Sequence, residues 1–298
     1  MTEIGSLTTE ASNPRTTRLD SMPIDELLRI MNAEDAAVAS AVAQAIPEIA
    51  RAVELIVAAR RRGGRLIYVG AGTSGRLGVL DAVECPPTFG TDPGEVLGII
   101  AGGPDAFLRA VEGAEDDPAR AAADLSAIAL TSDDVVVALA ASGRTPYAVG
   151  ALRHGRSIGA ATVAISCNRH AEASTFADVG IEIDTGPEVL TGSTRLKAGT
   201  AQKMVCNMLS TGAMVRAGKV YGNLMVDVRP TNAKLVDRAR RIIVEATGVD
   251  AATAAALLDA AGGHVKTAIV MRLAGVDASK ARTLLQDADG WVRDAVHH

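Results

Sequence analysis

Val135-Val-Val-Ala-Leu-Ala140 is apolar at every position. A strand with one wet face alternates apolar and polar residues, so an unbroken apolar run of this length must be covered on both faces. That condition is met by an inner strand of a parallel sheet layered between helices. The surrounding chain fits such a sheet. Strand-like segments recur at Arg65–Val69, Val96–Ile100, Asp134–Ala140, Ala161–Ser166 and Val179–Ile183. Helix-compatible segments fill the gaps at Arg76–Val83, Asp105–Val111, Pro118–Ala129 and Pro146–Ile158. This alternation predicts an α/β fold built on a doubly wound parallel sheet flanked by helices. Ligands in such sheets bind beyond the carboxyl ends of the strands.

The flanks read differently. Residues 1–22 are polar and hydroxyl-rich, as in an extended arm. Helical patterns follow at Ile24–Met31 and, as one long helix, at Asp35–Arg62, which stops at Gly63-Gly64. A long helix is expected from Leu196 to Ala217, and residues 231–245 are amphipathic. After Gly248 come short helical runs at Ala251–Ala260, Val265–Leu273 and Ala278–Leu285, separated by glycines. The expected organisation is therefore an N-terminal arm and helices (1–56), a sheet domain (57–220), a connecting segment and helix (221–245) and a small C-terminal three-helix subdomain (246–298).

Composition narrows the partners. The 298 residues carry a net charge of −5 and only 2% aromatics, with no basic block. Nucleic acid is an unexpected partner for such a surface, which lacks both a phosphate footprint and a stacking platform. No apolar run reaches the ~18 residues needed to span a bilayer, so no membrane partner is expected. The N-terminus has no basic-then-apolar pattern, and a cytoplasmic location is expected. Cys85, Cys167 and Cys206 have no metal-ligand spacing and read as buried free thiols.

Three hydroxyl-rich segments offer anion binding. In the first, the apolar run ending at Val69 enters Gly70-Ala-Gly72-Thr73-Ser74-Gly75. Glycines let backbone N–H groups approach an anion, and a following helix adds partial positive charge. It is not a P-loop, since no Lys follows the last glycine. The second, Ser142-Gly143-Arg144-Thr145-Pro146, repeats the idea after another apolar strand, with a helix cap as its structural alternative. In the third, Ser193 and Thr194 are expected to open a helix with Arg195 and Lys197 in its first turn. Cations there oppose the helix dipole, a cost that an anionic ligand would offset.

Two carboxylates stand out. Glu84 lies beside Pro86 and Pro87 in a largely apolar stretch, a setting that favours acid work, although it reads equally as a helix-end residue. Glu115 precedes Asp116, Asp117 and Pro118, an acidic cluster suited to a helix N-terminus. The residues alone therefore favour a structural part for Glu115.

These segments resemble the N-acetylmuramic acid 6-phosphate etherase family of the sugar isomerase (SIS) superfamily. The resemblance is carried by Thr9-Glu-Ala-Ser-Asn-Pro-Arg15, Val69–Gly78, Ala82-Val-Glu-Cys-Pro-Pro-Thr-Phe-Gly90, Val111–Asp117, Ala141–Pro146, Ala164–Asn168, Gly186–Lys203 and Lys219–Asn232. It departs from the family pattern at Ser12, where a longer polar residue is expected. It implies a SIS-type, flavodoxin-like sheet, a homodimer and catalytic roles for Glu84 and Glu115. It implies a sugar-phosphate substrate held by Gly72, Thr73, Ser74, Gly75, Ser142, Gly143, Arg144, Thr145, Ser193, Thr194, Arg195 and Lys197. It further implies cleavage of a D-lactyl ether to N-acetylglucosamine 6-phosphate and D-lactate, in peptidoglycan recycling. An open-chain aldehyde activates C2 by itself, so no metal and no cofactor are expected. Two rival readings are an aldose–ketose isomerase and a non-catalytic sugar-phosphate sensor of the glucokinase regulatory protein type. The isomerase does not account for the Ala82–Gly90 segment, and the regulatory protein is much longer, with two SIS domains where one is expected here.

Overall fold

The computed structural model describes residues 5, 7–230 and 232–297. Residues 1–4 and 6 of the expected arm, Thr231 of the amphipathic run and His298 lie outside the described residues. The chain divides into two compact units. The first comprises residues 1–83 and 94–210, and the second residues 84–93 and 211–298.

The first unit is built on five parallel strands: β1 (Leu66–Gly70), β2 (Val96–Ile100), β3 (Val135–Leu139), β4 (Ala161–Ser166) and β5 (Val179–Glu182). Their order is β2-β1-β3-β4-β5, the flavodoxin-like order. β1 and β3 are fully buried, as their unbroken apolar sequences require. Ile67, Val69 and Val136 pack on one face against Ala121 and Leu125 of α6 (Pro118–Ala127) and Tyr147 of α7 (Pro146–Ile158). Tyr68 points the other way, since side chains alternate across a strand. Its hydroxyl donates to Asp81 of α4 (Gly72–Phe89) at 3.0 Å and to the Cys206 carbonyl of α8 (Lys197–Arg216) at 3.4 Å.

The amino edge of the sheet is closed by charge. Asp134 is 1% exposed and accepts from the Arg65 amide (2.8 Å), Arg65 Nε (3.0 Å), Arg65 Nη2 (2.7 Å) and the Thr131 amide (2.9 Å). Burial alone would raise its pKa, but Arg65 and the two amides outweigh it and hold the carboxyl below its ordinary value.

Several boundaries differ from expectation. The expected helix Ile24–Met31 runs on as α1 (Ile24–Ala36), and the expected long helix over Asp35–Arg62 is broken into the end of α1, α2 (Val38–Ala43) and α3 (Ile46–Arg61). Pro47 lies at the start of α3, the one helix position where its missing N–H is harmless. Helix α5 (Asp105–Leu108) is a single turn. Helix α4 is much longer than Arg76–Val83, because it absorbs Thr73, Ser74 and Gly75 at one end and both prolines at the other. It lies almost on the backbone of β1: a Cβ on Gly75 would come 2.5 Å from the Gly70 carbonyl oxygen. The pattern of Gly70, Gly72 and Gly75 that reads as a loop is therefore partly a close helix–strand contact.

The second unit is helical. Helices α9 (Ala233–Thr247), α10 (Ala251–Ala260), α11 (Val265–Ala274), α12 (Ala278–Asp287) and α13 (Val292–His297) share one core that includes Ile242, Ile243, Leu258, Ile269, Leu285 and Val292. The three expected tail helices are present, joined by α9 and by the unexpected α13. Asn232, Asp250, His264 and Asp277 each accept a backbone N–H at the start of their helix. Gly248 and Gly275 end α9 and α11 in the left-handed conformation that other residues resist.

Candidate active site

The strand order reverses between β1 and β3, where Gly70 pairs with Leu139. The two hydroxyl-rich segments leave the sheet side by side at this switch point. Beyond Gly70 the chain turns at once into α4, so Gly72, Thr73, Ser74 and Gly75 form the first turn of an 18-residue helix. The first N–H groups of a helix lack intrahelical acceptors and face an anion readily.

Glu115 comes to this turn. A cavity of about 230 Å³ is lined by Ala71, Gly72, Arg76, Glu112, Gly113 and Glu115, among others. Glu115 lies on the exposed turn before α6, and its carbonyl accepts the Tyr147 amide at 3.0 Å. The N-cap of α6 is Asp117, which accepts from Ala119 and Arg120. Helix capping therefore does not require the Glu115 carboxylate. Arg76 donates to the carbonyls of Phe107 (2.9 Å) and Ala106 (2.7 Å), contacts that fix a positive charge in the cavity wall.

The third segment meets the first. Gly199 of α8 has space for a Cβ only 3.4 Å from Thr73 Cγ2, and Ser74 donates to Gln202 Oε1 at 2.9 Å. Ser74 is buried, and the Gln202 side-chain nitrogen is buried with no acceptor among the described residues. Ser193, Thr194 and Arg195 precede the helix rather than open it, because α8 begins at Lys197. The anion at this N-terminus is the protein's own. Fully buried Glu188 accepts the amides of Lys197 and Ala198, both at 2.9 Å. Burial pushes its carboxyl above the ordinary value despite those bonds. Lys197 is likewise engaged, with its ammonium 2.5 Å from Glu34 of α1. Of the two cations expected to attract a ligand there, Lys197 is thus matched inside the fold.

The second segment lines a cavity of about 550 Å³ that holds Ser142, Arg144, Asn168, His170 and Asp184. Ser142 accepts the Arg144 amide at 3.2 Å, and Gly143 (φ 70°) fits where a Cβ would lie 2.4 Å from that of Ala171. Thr145 is the N-cap of α7 but makes no side-chain cap bond. Asn168 ties the N-terminal arm to this edge: its amide nitrogen donates to Thr9 Oγ1 and to the Ala141 carbonyl, both at 3.0 Å. Glu84 differs from its expected setting. It is exposed on α4 beside exposed Val83, while Ala82 and Cys85 turn inward. Apolar neighbours in sequence do not shelter it, because successive helix residues point about 100° apart.

Comparison with known proteins decides the family. Family models match for the SIS domain over residues 116–212 and for the glucokinase regulatory protein N-terminal SIS domain over residues 48–156. The chain is 67% identical over 269 residues to the N-acetylmuramic acid 6-phosphate etherase of Mycolicibacterium smegmatis, covering 90% of each chain. It belongs to the N-acetylmuramic acid 6-phosphate etherase family. The Streptomyces coelicolor etherase is 58% identical, over 90% of this chain and 86% of its own. A phosphoheptose isomerase structure from Neisseria gonorrhoeae is similar at 13% identity and a TM-score of 0.47, over 63% of this chain and 97% of that one. So distant a likeness adds nothing to the strand order.

In this etherase-family chain, Arg76, Asn168, Glu188 and Gln202 shape the site, and sequence reasoning gave none of them a role. All four lie within the segments that carry the family resemblance. Among the described residues no group of His, Cys, Asp and Glu is arranged to hold a metal ion, and no helix is long and apolar enough to cross a membrane.

Proposed function

We propose that this chain cleaves the D-lactyl ether of N-acetylmuramic acid 6-phosphate, giving N-acetylglucosamine 6-phosphate and D-lactate in peptidoglycan recycling. The observation that carries the reading is the cavity in which Glu115 meets the N-terminal turn of α4 at Gly72. It sets a carboxylate beside an anion-accepting helix end, the pairing that a phosphorylated sugar undergoing proton abstraction requires. The 67% identity to a named etherase supports the choice of substrate.

An alkoxide leaves badly, so direct displacement of the ether is slow. Opening the sugar ring exposes an aldehyde that acidifies the C2 proton. A base removes that proton, and the resulting enolate expels the C3 oxygen as lactate. Water then adds at C3, so the first half-reaction is that of a carbon–oxygen lyase. Glu115 is the proposed C2 base, and Glu84 the acid that protonates lactate and later activates water. A positioned acid or base contributes roughly 10²–10⁴-fold. Thr73, Ser74, Ser142, Thr145, Ser193 and Thr194 and their backbone amides are the proposed phosphate cradle, with Arg144 or Arg195 on the phosphate or the lactyl carboxylate.

A cytoplasmic homodimer completes the proposal. Ile24 (67% exposed) and Leu28 (56% exposed) form an apolar pair one turn apart on α1, a surface suited to a second copy. Light scattering of a dimer would support this, and a monomer would remove it. The reaction itself is tested by following D-lactate release in ¹⁸O water. Label at C3 of the sugar product is expected. Label in lactate would mean that the C3–O bond survives, and the route above would be wrong.

A further inference from the structure

The second unit holds a cavity of about 570 Å³ made by the Gly90 end of α4, the Lys219–Pro230 segment and α11 and α12. Its lining carries three cationic side chains, Lys219, Arg229 and Lys266, against two carboxylates, Asp227 and Asp289. Two ammonium groups converge on a single oxygen: Lys219 Nζ lies 3.1 Å and Lys266 Nζ 2.9 Å from Asp227 Oδ2. Lys266 is only 5% exposed, and both lysines line the cavity. Two cations on one carboxylate leave a positive charge in excess at this cluster, since the other carboxylate of the lining, Asp289, is exposed to solvent, and a charge withdrawn from water is costly unless it is matched. Arg229 adds a third cation to the wall, with Nη2 donating to the Gly90 carbonyl at 2.7 Å and to Asp92 at 3.0 Å. Burial, reinforced by the neighbouring Lys219, lowers the pKa of Lys266, and the Asp227 charge opposes that shift.

Backbone polarity points the same way. Helix α11 starts at Val265, immediately after the cavity residues Gly262, Gly263 and His264. His264 Nδ1 accepts the Thr267 amide at 3.3 Å, which leaves the ring proton on Nε2 as a donor. A helix start, an imidazole and two lysines lining one open cleft are complementary to a tetrahedral oxyanion.

We propose that this cavity is a second anion site, taking the phosphoryl group of a small phosphorylated molecule on Lys219, Lys266 and the start of α11. None of its residues belongs to the proposed catalytic or phosphate-binding set, and the inference does not rest on the etherase reading.

The test is a titration of full-length protein with inorganic phosphate at constant ionic strength, followed by NMR at the amides of Gly263, Lys266 and Gly290 and at the lysine ammonium groups. Saturable shifts at these positions are expected, absent with chloride. Lys219→Met should weaken them about tenfold or more, Lys219→Arg should restore most of the affinity, and phosphate shifts at residues 142–145 should persist in both. Lys266→Met serves as the second variant, because it leaves the Lys219–Asp227 pair in place. Absence of saturable shifts in this unit, or shifts unchanged in folded Lys219→Met and Lys266→Met, would overturn the site. Equal shifts with D-lactate would overturn the phosphoryl assignment.

Discussion

The two edges of the sheet handle charge in opposite ways. At the amino edge, Asp134 accepts several hydrogen bonds, with Arg65 and Thr131 as partners, and little is left open. At the carboxyl edge, Glu115 is exposed in a cavity wall, Thr145 caps a helix without using its hydroxyl for the purpose, and Gln202 keeps a buried nitrogen without an acceptor among the described residues. One edge closes its polar groups upon each other and gains stability. The other, under the proposed function, presents its polar groups to the sugar phosphate. Yet the open edge is not loosely built, since Glu188 accepts two backbone amides there and Lys197 pairs with Glu34.

That contrast is broken most severely through the exposed carboxylates. Glu84→Gln and Glu115→Gln should each lower lactate release by roughly 10²–10⁴-fold while leaving thermal stability within the ordinary range of surface changes. Turnover and unfolding measured on the same samples check this, and full activity in both variants would remove the proposed roles. The mirror image is Asp134→Ala, which strands Arg65 and should cost about 3–5 kcal/mol of stability with little change in activity per folded molecule. Denaturant titration reads the first quantity and active-site-normalised rates the second.

The same carboxylate has a pH signature. Its pKa is lower in the folded chain than the ordinary ~3.9, so its contribution is complete above that range. It is lost as the pH falls through the lowered folded-state value. Unfolding midpoints from pH 6 down to pH 2 should drop more steeply for the native chain than for Asp134→Asn.

Smaller effects sharpen the comparison at the open edge. Gly75→Ala places a methyl group 2.5 Å from the Gly70 carbonyl oxygen, and overpacking of that kind costs about 1–3 kcal/mol. Because it pushes α4 off β1, KM for the sugar phosphate should rise as well. Ser142→Ala should raise KM by about tenfold or less with kcat nearly intact, the size of one hydrogen bond. An unchanged KM in steady-state kinetics would take Ser142 out of the phosphate cradle.

Much of this was legible in the chain, for identifiable reasons. Strands β2 and β4 and helix α7 have the expected limits, because apolar runs between turn residues and a proline at a helix start are local signals. Helix α4 runs past both of its expected ends because its markers serve two purposes. Gly72 and Gly75 look like loop residues but allow the helix to touch β1, and Pro86 and Pro87 look like terminators yet lie inside the helix. The site's supporting contacts were illegible for a different reason. Asn168 finds Thr9 across 159 residues, Gln202 finds Ser74 across 128 and Lys197 finds Glu34 across 163, separations over which no periodicity operates.

The clasp between Thr9 and Asn168 also fixes an order of events. A ribosome makes the arm first, but its partners, Asn168 and the Pro187 carbonyl that receives Asn13, come much later. At about 5–20 residues per second, Thr9 waits roughly 8–30 s for Asn168 to appear. Thr9 and Asn13 therefore dock well after they are made, and the carboxyl edge of the sheet acquires its covering strap only after β4 exists to receive it.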